Sequence, residues 1–254
     1  MPNVLIVGAT RGLGLELAKQ YSTHPSTTVF GTARSTTPND APDSIEWIKN
    51  IDLTQESSTS TLASCLPSPL DTVIISAGVF ISESFTSPSW TDEVAMYTTS
   101  SIAPVFIVHH LFNAGLLKSG AKVILISSEA GSMGLRHESE GGGNYAHHAS
   151  KAALNMVGKL LSLDLKGEGV AVGLVHPAFM RTEMTRGVGF DKYWDDGGAV
   201  TPDVAAKSVV EFVEGFDISK TGTFWAPRGP RDIGTADKTM GPKDTLPTPL
   251  ELPW

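Results

Sequence analysis

Short runs of β-branched and aliphatic residues recur along the chain at 4–7, 28–32, 45–51, 72–75, 122–126, 170–175 and 221–225. Polar or turn-forming residues separate them, as expected of strands. Between the runs, apolar residues fall at helical spacing. Leu13, Leu17, Ala18 and Tyr21 share one helix face, and so do Ala153, Met156, Val157, Leu160 and Leu161. Strands alternating with helices predict an α/β fold, a parallel sheet covered on both faces. A further apolar helical run over 91–117 contains His109 and His110, which read as packing or subunit-contact residues. Three segments break the rhythm: 129–144, 182–202 and a proline-rich tail over 227–254. Loops carry specificity on such scaffolds. Phe190, Tyr193 and Trp194 make 182–202 a candidate substrate lid, with core packing of these aromatics as the other reading.

At 254 residues the chain suits one large domain over 1–254. Its net charge of −8, with no block of Lys or Arg, argues against nucleic acid or an anionic membrane as partner and favours a small molecule. Cys65 is the single cysteine, so no internal disulfide can form. The apolar run at 4–7 stops at Gly8, too short for a signal peptide or a membrane span. A cytoplasmic protein is expected, and no metal site.

The first strand runs into Gly8-Ala9-Thr10-Arg11-Gly12-Leu13-Gly14 and then into a helical pattern. Gly8 permits the tight turn, Gly12 lets the backbone approach a pyrophosphate, and Gly14 allows close helix packing, with the helix N-terminus facing the phosphates. The spacing Gly-x-x-x-Gly-x-Gly resembles that of the short-chain dehydrogenase/reductase superfamily. Further matches follow in order: Asp52-Leu53, Ala77-Gly78, Ser127-Ser128, Lys151, and Pro177 to Thr182 with Met180 between them. The resemblance covers most of the chain and implies a Rossmann-type, doubly wound, seven-stranded parallel sheet flanked by helices. Ligands would bind at the carboxyl ends of its strands. NAD enzymes place a carboxylate after the second strand, where this chain has Gly31-Thr32-Ala33-Arg34. Arg34 with Arg11 could hold a 2′-phosphate, so NADP(H) is the expected cofactor; the other reading is a solvated arginine beside bound NAD. The resemblance also implies that Asp52 contacts the adenine and Thr182 the nicotinamide carboxamide.

In that family a Ser, a Tyr and a Lys four residues later carry the reaction, with an Asn on a preceding helix. This chain keeps Ser128 and Lys151, but His147 stands at the tyrosine position. Ser100 stands at the Asn position, and Ser76 replaces the Asn usual before Ala77-Gly78. Tyr145 is offset from His147 by two residues, roughly 200° around a helix, and can serve only if the helix begins later. His147 is either a general acid, part of a non-redox site with Ser128, or structural. Lys151 and an oxidised nicotinamide should both lower its pKa. The interval between Ser128 and His147 resembles the C-factor and sniffer-like carbonyl reductases. It contains Arg136-His137-Glu138-Ser139-Glu140 and Gly141-Gly142-Gly143, a substrate-binding or a mobile solvated loop. The candidate catalytic set is Ser128, His147 and Lys151, and the candidate substrate set is Ser128, Arg136, Tyr145, Phe190 and Trp194.

The expected activity is NADP(H)-dependent reduction or oxidation of a carbonyl, alcohol or imine. Two other readings stay open: a non-redox isomerase, cyclase or pericyclase that retains the cofactor, and an NADP sensor. The pattern around Gly142-Gly143-Asn144-Tyr145 and the tail resemble fungal members of secondary metabolism. Apolar positions on the 91–117 and Lys151 helices predict a homodimer or homotetramer.

Overall fold

A computed structural model describes residues 2–254. Strands β1 (Asn3–Val7), β2 (Thr28–Thr32), β3 (Ile45–Ile48), β4 (Leu70–Ile75), β5 (Leu117–Ile126), β6 (Ala171–Val175), β7 (Thr223–Ala226) and β8 (Leu250–Glu251) form one sheet in the order β3-β2-β1-β4-β5-β6-β7-β8. The strands from β1 to β7 are parallel, while β8 runs antiparallel to β7. The sheet thus has one strand beyond the expected seven, contributed by the proline-rich tail. Too short and too close to prolines to show a period, β8 gives no strand signal in the sequence.

Side chains alternate across the sheet. Leu5, Val7, Val73, Ile75, Val123 and Leu125 bury one face against α2 (Glu56–Ser64), α4 (Ala103–Asn113) and α5 (Tyr145–Leu165). Val4, Ile6, Ile74 and Ile124 bury the other against α1 (Gly12–Ser22) and α7 (Pro202–Glu214). The expected strand at 45–51 ends at Ile48, and the run over 91–117 is not one helix. It divides into α3 (Trp90–Tyr97), a π turn over Thr98–Ile102, and α4, while Leu117 already belongs to β5. Pro104 lacks the N–H that would bond the Ser100 carbonyl in a regular α-helix, and the backbone opens into the wider turn just before it. No described helix is long and apolar enough to cross a membrane.

Candidate active site

The carboxyl ends of the strands open into one cavity of about 1290 Å³. It is lined by every residue singled out above for the cofactor, from Gly8 to Thr182, and by Ser128, Arg136, Tyr145, His147, Lys151 and Phe190. Trp194 does not line it. Its indole Nε1 donates to Thr185 Oγ1 at 3.2 Å, with the Arg186 guanidinium 5.2 Å from the ring centroid. The expected substrate role of Trp194 is therefore replaced by packing on α6 (Glu183–Gly187), while Phe190 and Tyr193 reach the cavity.

The glycine turn is built for close approach. Gly8 has φ +88° and Gly12 φ +54°, values open to glycine and costly to other residues. A methyl group on Gly14 would sit 2.0 Å from the Gly8 carbonyl oxygen, so the third glycine is fixed by packing of α1 on the turn. Arg11 caps α1 without a side-chain hydrogen bond, which leaves the first-turn N–H groups for a ligand anion. Arg11 and Arg34 are both exposed along the cavity wall, and no carboxylate follows β2. These features fit a dinucleotide with an extra phosphate on its ribose. Asp52 holds its own turn, its Oδ1 accepting from Thr54 N at 3.0 Å and Thr54 Oγ1 at 2.9 Å. Thr182 caps α6, its hydroxyl accepting from Thr185 N at 3.2 Å. Nearby, Ala178 adopts φ +116°, where the residue most at ease is glycine.

Lys151 is buried, and its Nζ donates to the Ile126 carbonyl at 2.8 Å. Burial brings its ammonium down to about 8. One helical turn earlier on α5 lies His147, its ring stacked on Phe80 with centroids 3.9 Å apart. Burial, then the charge of Lys151, lowers its pKa to about 3, with lesser contributions from His148 and Arg136. The imidazole is therefore neutral near pH 7, and its buried Nδ1 has no protein partner. The lowering expected from the sequence is present, and burial contributes more to it than the neighbouring charge. Ser128 caps the turn Glu129–Gly131, its Oγ accepting from Ala130 N at 3.2 Å.

Helix α5 begins at Tyr145, which puts Tyr145 on its first turn, largely exposed at the cavity rim rather than on the face shared by His147 and Lys151. Ser100 lies in the π turn with its buried hydroxyl unpartnered. Two features escape the sequence reading. Glu83 anchors the start of α5, its Oε1 accepting from Ala146 N at 2.6 Å and its carbonyl from Asn144 N at 2.9 Å. Glu129, directly after Ser128, also lines the cavity; burial raises its carboxyl to about 7, and Gly234 N donates to its Oε2 at 3.1 Å. A carboxylate at the carboxyl end of a strand beside Ser128 was the available signal.

The sequence profile of the short chain dehydrogenases matches residues 2–192. An uncharacterized oxidoreductase of Schizosaccharomyces pombe is 27% identical over 242 residues, covering 87% of this chain and 93% of its own length. Among solved structures, NADPH-bound carbonyl reductase from chicken fatty liver superposes with a TM-score of 0.77 at 23% identity, covering 89% of this chain and 96% of that one. The carbonyl reductase Sniffer of Drosophila melanogaster gives a TM-score of 0.74 at 22% identity, with both chains fully covered.

Proposed function

The chain belongs to the short chain dehydrogenase family, and on that premise we propose that it is an NADP(H)-dependent oxidoreductase acting on a carbonyl, alcohol or imine group of a small molecule. One observation carries the reading: a single cavity joins the glycine turn and its two arginines to Ser128, His147 and Lys151. The NADPH in the chicken carbonyl reductase is in keeping with it. Residues 182–202 serve as the lid of the single domain over 1–254.

When bound, a reduced nicotinamide supplies the hydride. Lys151 is assigned to the nicotinamide ribose, with one of its N–H groups already committed to the Ile126 carbonyl. Ser128 holds the substrate oxygen. His147, neutral at working pH, donates a hydrogen bond to that oxygen from one ring nitrogen instead of delivering a proton as imidazolium. Proton supply then falls to Lys151, whose pKa of about 8 is better matched to neutral solution. Phe80 stacks on the imidazole, Phe190 packs edge-on against Phe80, and together they make this corner apolar.

The depressed His147 pKa also favours a second reading, a non-redox isomerase, cyclase or pericyclase that retains NADP(H) for shape or charge. Stereospecifically deuterated NADPH separates the two, since only a reductase passes the label to product while nicotinamide absorbance falls. Under the reductase reading, His147→Phe abolishes turnover and leaves NADPH affinity nearly intact. His147→Tyr preserves or raises reduction of simple carbonyl compounds. Full activity of His147→Phe would remove His147 from the reaction. For the cofactor, calorimetric titration should give NADPH at least about tenfold tighter binding than NADH, a margin within reach of charge-assisted contacts. Equal affinities, or a preference unchanged in Arg34→Ala, would overturn that choice.

A further inference from the structure

The segments following β5 and β7 bring a charged cluster into the same cavity: Glu129, Arg136 and Glu140 from one, Arg231 and Lys243 from the other. Two internal pairs account for part of it. Arg136 Nη2 lies 3.0 Å from Glu140 Oε1, and Lys243 Nζ lies 3.8 Å from Asp237 Oδ2. Arg136 Nε is nevertheless buried without a partner. Arg231 joins no ion pair among the described residues; the neighbouring Asp232 carboxylate is held by Arg228 at 2.9 Å. Glu129 has one oxygen on the Gly234 N–H, and no described side chain forms an ion pair with it. Both arginines line the cavity and keep unused donors, Arg136 a buried Nε and Arg231 a guanidinium outside any ion pair, and a protonated Glu129 would add one more donor.

We propose that Arg136, Arg231 and Glu129 form a carboxylate-binding subsite, so that the substrate carries an anionic group beyond its reacting centre. This rests on the cavity being the active site, as proposed above, and deepens that reading by naming the substrate class. The charge balance favours an anion over a cation. The pairs Arg136–Glu140, Lys243–Asp237 and Arg228–Asp232 cancel, so once Glu129 is protonated Arg231 is the charge among these groups without an ion-pair partner, with Asp232 acting on it only through space. Hydrogen bonds from a planar guanidinium and from a carboxylic acid O–H match the two oxygens of a carboxylate.

The arrangement couples binding to protons. The groups around Glu129 are Arg136 and Glu140 on its own loop, Lys243 and the Gly234 N–H on the C-terminal segment, His176 just after β6, and His148 on α5. The backbone N–H of Glu129 donates to His176 Nδ1 at 3.1 Å; both histidines have lowered pKa values and stay neutral near pH 7. Glu129 is thus the member of the cluster that titrates near 7. An anion placed beside it favours its protonated form, so anion affinity is full below about pH 7 and falls as pH rises through it.

The test is calorimetric titration of the protein, alone and loaded with NADP⁺, with three probes that differ in charge: 4-formylbenzoate, benzaldehyde and a formylphenyl trimethylammonium salt. It measures binding, so it stands whether or not the chain transfers hydride, and a failed reductase reading would show instead as absent label transfer. We expect 4-formylbenzoate to bind at least about tenfold tighter than benzaldehyde, with proton uptake, and to weaken by up to about tenfold per pH unit above pH 7. The cation should bind no better than benzaldehyde. Glu129→Gln, which keeps a donor but cannot titrate, should flatten the pH profile, and Arg231→Ala should reduce affinity for the anion while sparing benzaldehyde and NADPH. Equal affinity for the three probes, preference for the cation, or a pH profile unchanged in Glu129→Gln would each overturn the subsite. Thermal unfolding of each variant confirms that folded protein is compared.

Discussion

At position 147 the fold surrounds an imidazole with an aromatic ring, an ammonium one helical turn away and little water. An ordinary histidine titrates near 6.5, whereas this one does so near 3. Between those values the unfolded chain binds a proton that the folded chain refuses, so stability falls as pH drops from about 6.5 toward 3. His148 and His176 are lowered in the same direction and add to the trend. His147→Phe keeps a ring against Phe80 and removes one of these sites. Its unfolding free energy should lose less on acidification, the slope changing by up to about 1.4 kcal/mol per pH unit. Urea midpoints across the acid range measure the difference, and an identical slope would mean that the imidazole accepts its proton freely in the folded state. Ala178 offers a second residue-scale test, because its φ of +116° costs an alanine what a glycine avoids. Ala178→Gly should raise stability by about 1 kcal/mol, some 2–4 °C in Tm. A lower Tm in the variant would show that the backbone there is unstrained.

At the scale of elements, the proline-rich tail is a structural part of the domain. Leu250 and Leu252 are buried, and Leu252 N donates to the Phe224 carbonyl at 2.7 Å. The tail also ties down the segment after Ser128: Ser132 Oγ donates to the Pro253 carbonyl at 2.7 Å, and Gly134 N to the Trp254 carbonyl at 2.9 Å. Removing residues 250–254 should therefore cost at least about 3 kcal/mol from the two leucines alone. It should also weaken substrate-side binding more than NADPH binding. Comparing thermal unfolding and calorimetry of the truncated and full chains decides this, and an unchanged Tm would refute it. The tail also marks where sequence legibility ends. The seven parallel strands and the glycine turn announce themselves through repeated β-branched runs and fixed glycine spacing, and every expected cofactor residue meets in one cavity. Strand β8 carries no period, and the π turn before Pro104 is a backbone response to one missing donor inside an otherwise helical pattern. Trp194 shows a further limit: the aromatic cluster of 182–202 is legible in the sequence, but which ring faces the cavity depends on the local turn and on the Thr185 hydroxyl. Glu129 and Arg231 line one cavity only through tertiary packing of segments about a hundred residues apart, which no local pattern encodes.

For the whole molecule, the distribution of exposed apolar side chains is uneven. Val94, Ile102, Val105 and Phe106 are exposed on the α3–π–α4 segment, and Met156, Leu160 and Leu163 are exposed on α5, which packs beside it. The sheet-facing stripes of these helices are already filled by Met96, Ile107, Leu111 and Leu154, so the outer residues have no use within one chain. Exposed apolar groups on two adjacent helices are the kind of surface that a two-fold axis can bury. We expect a homodimer, or a homotetramer if a second face is used, at micromolar concentration. Light scattering reads the mass directly. Leu160→Glu with Met156→Glu should shift the protein to monomers without disturbing the core, since both side chains point away from it. Helix α5 also carries His147 and Lys151, and dissociation would leave its outer face wet, so the monomeric variant should keep NADPH binding but unfold at a lower temperature. A wild-type monomer in solution would refute the assembly. A variant that stays assembled would move the interface to another face of the molecule.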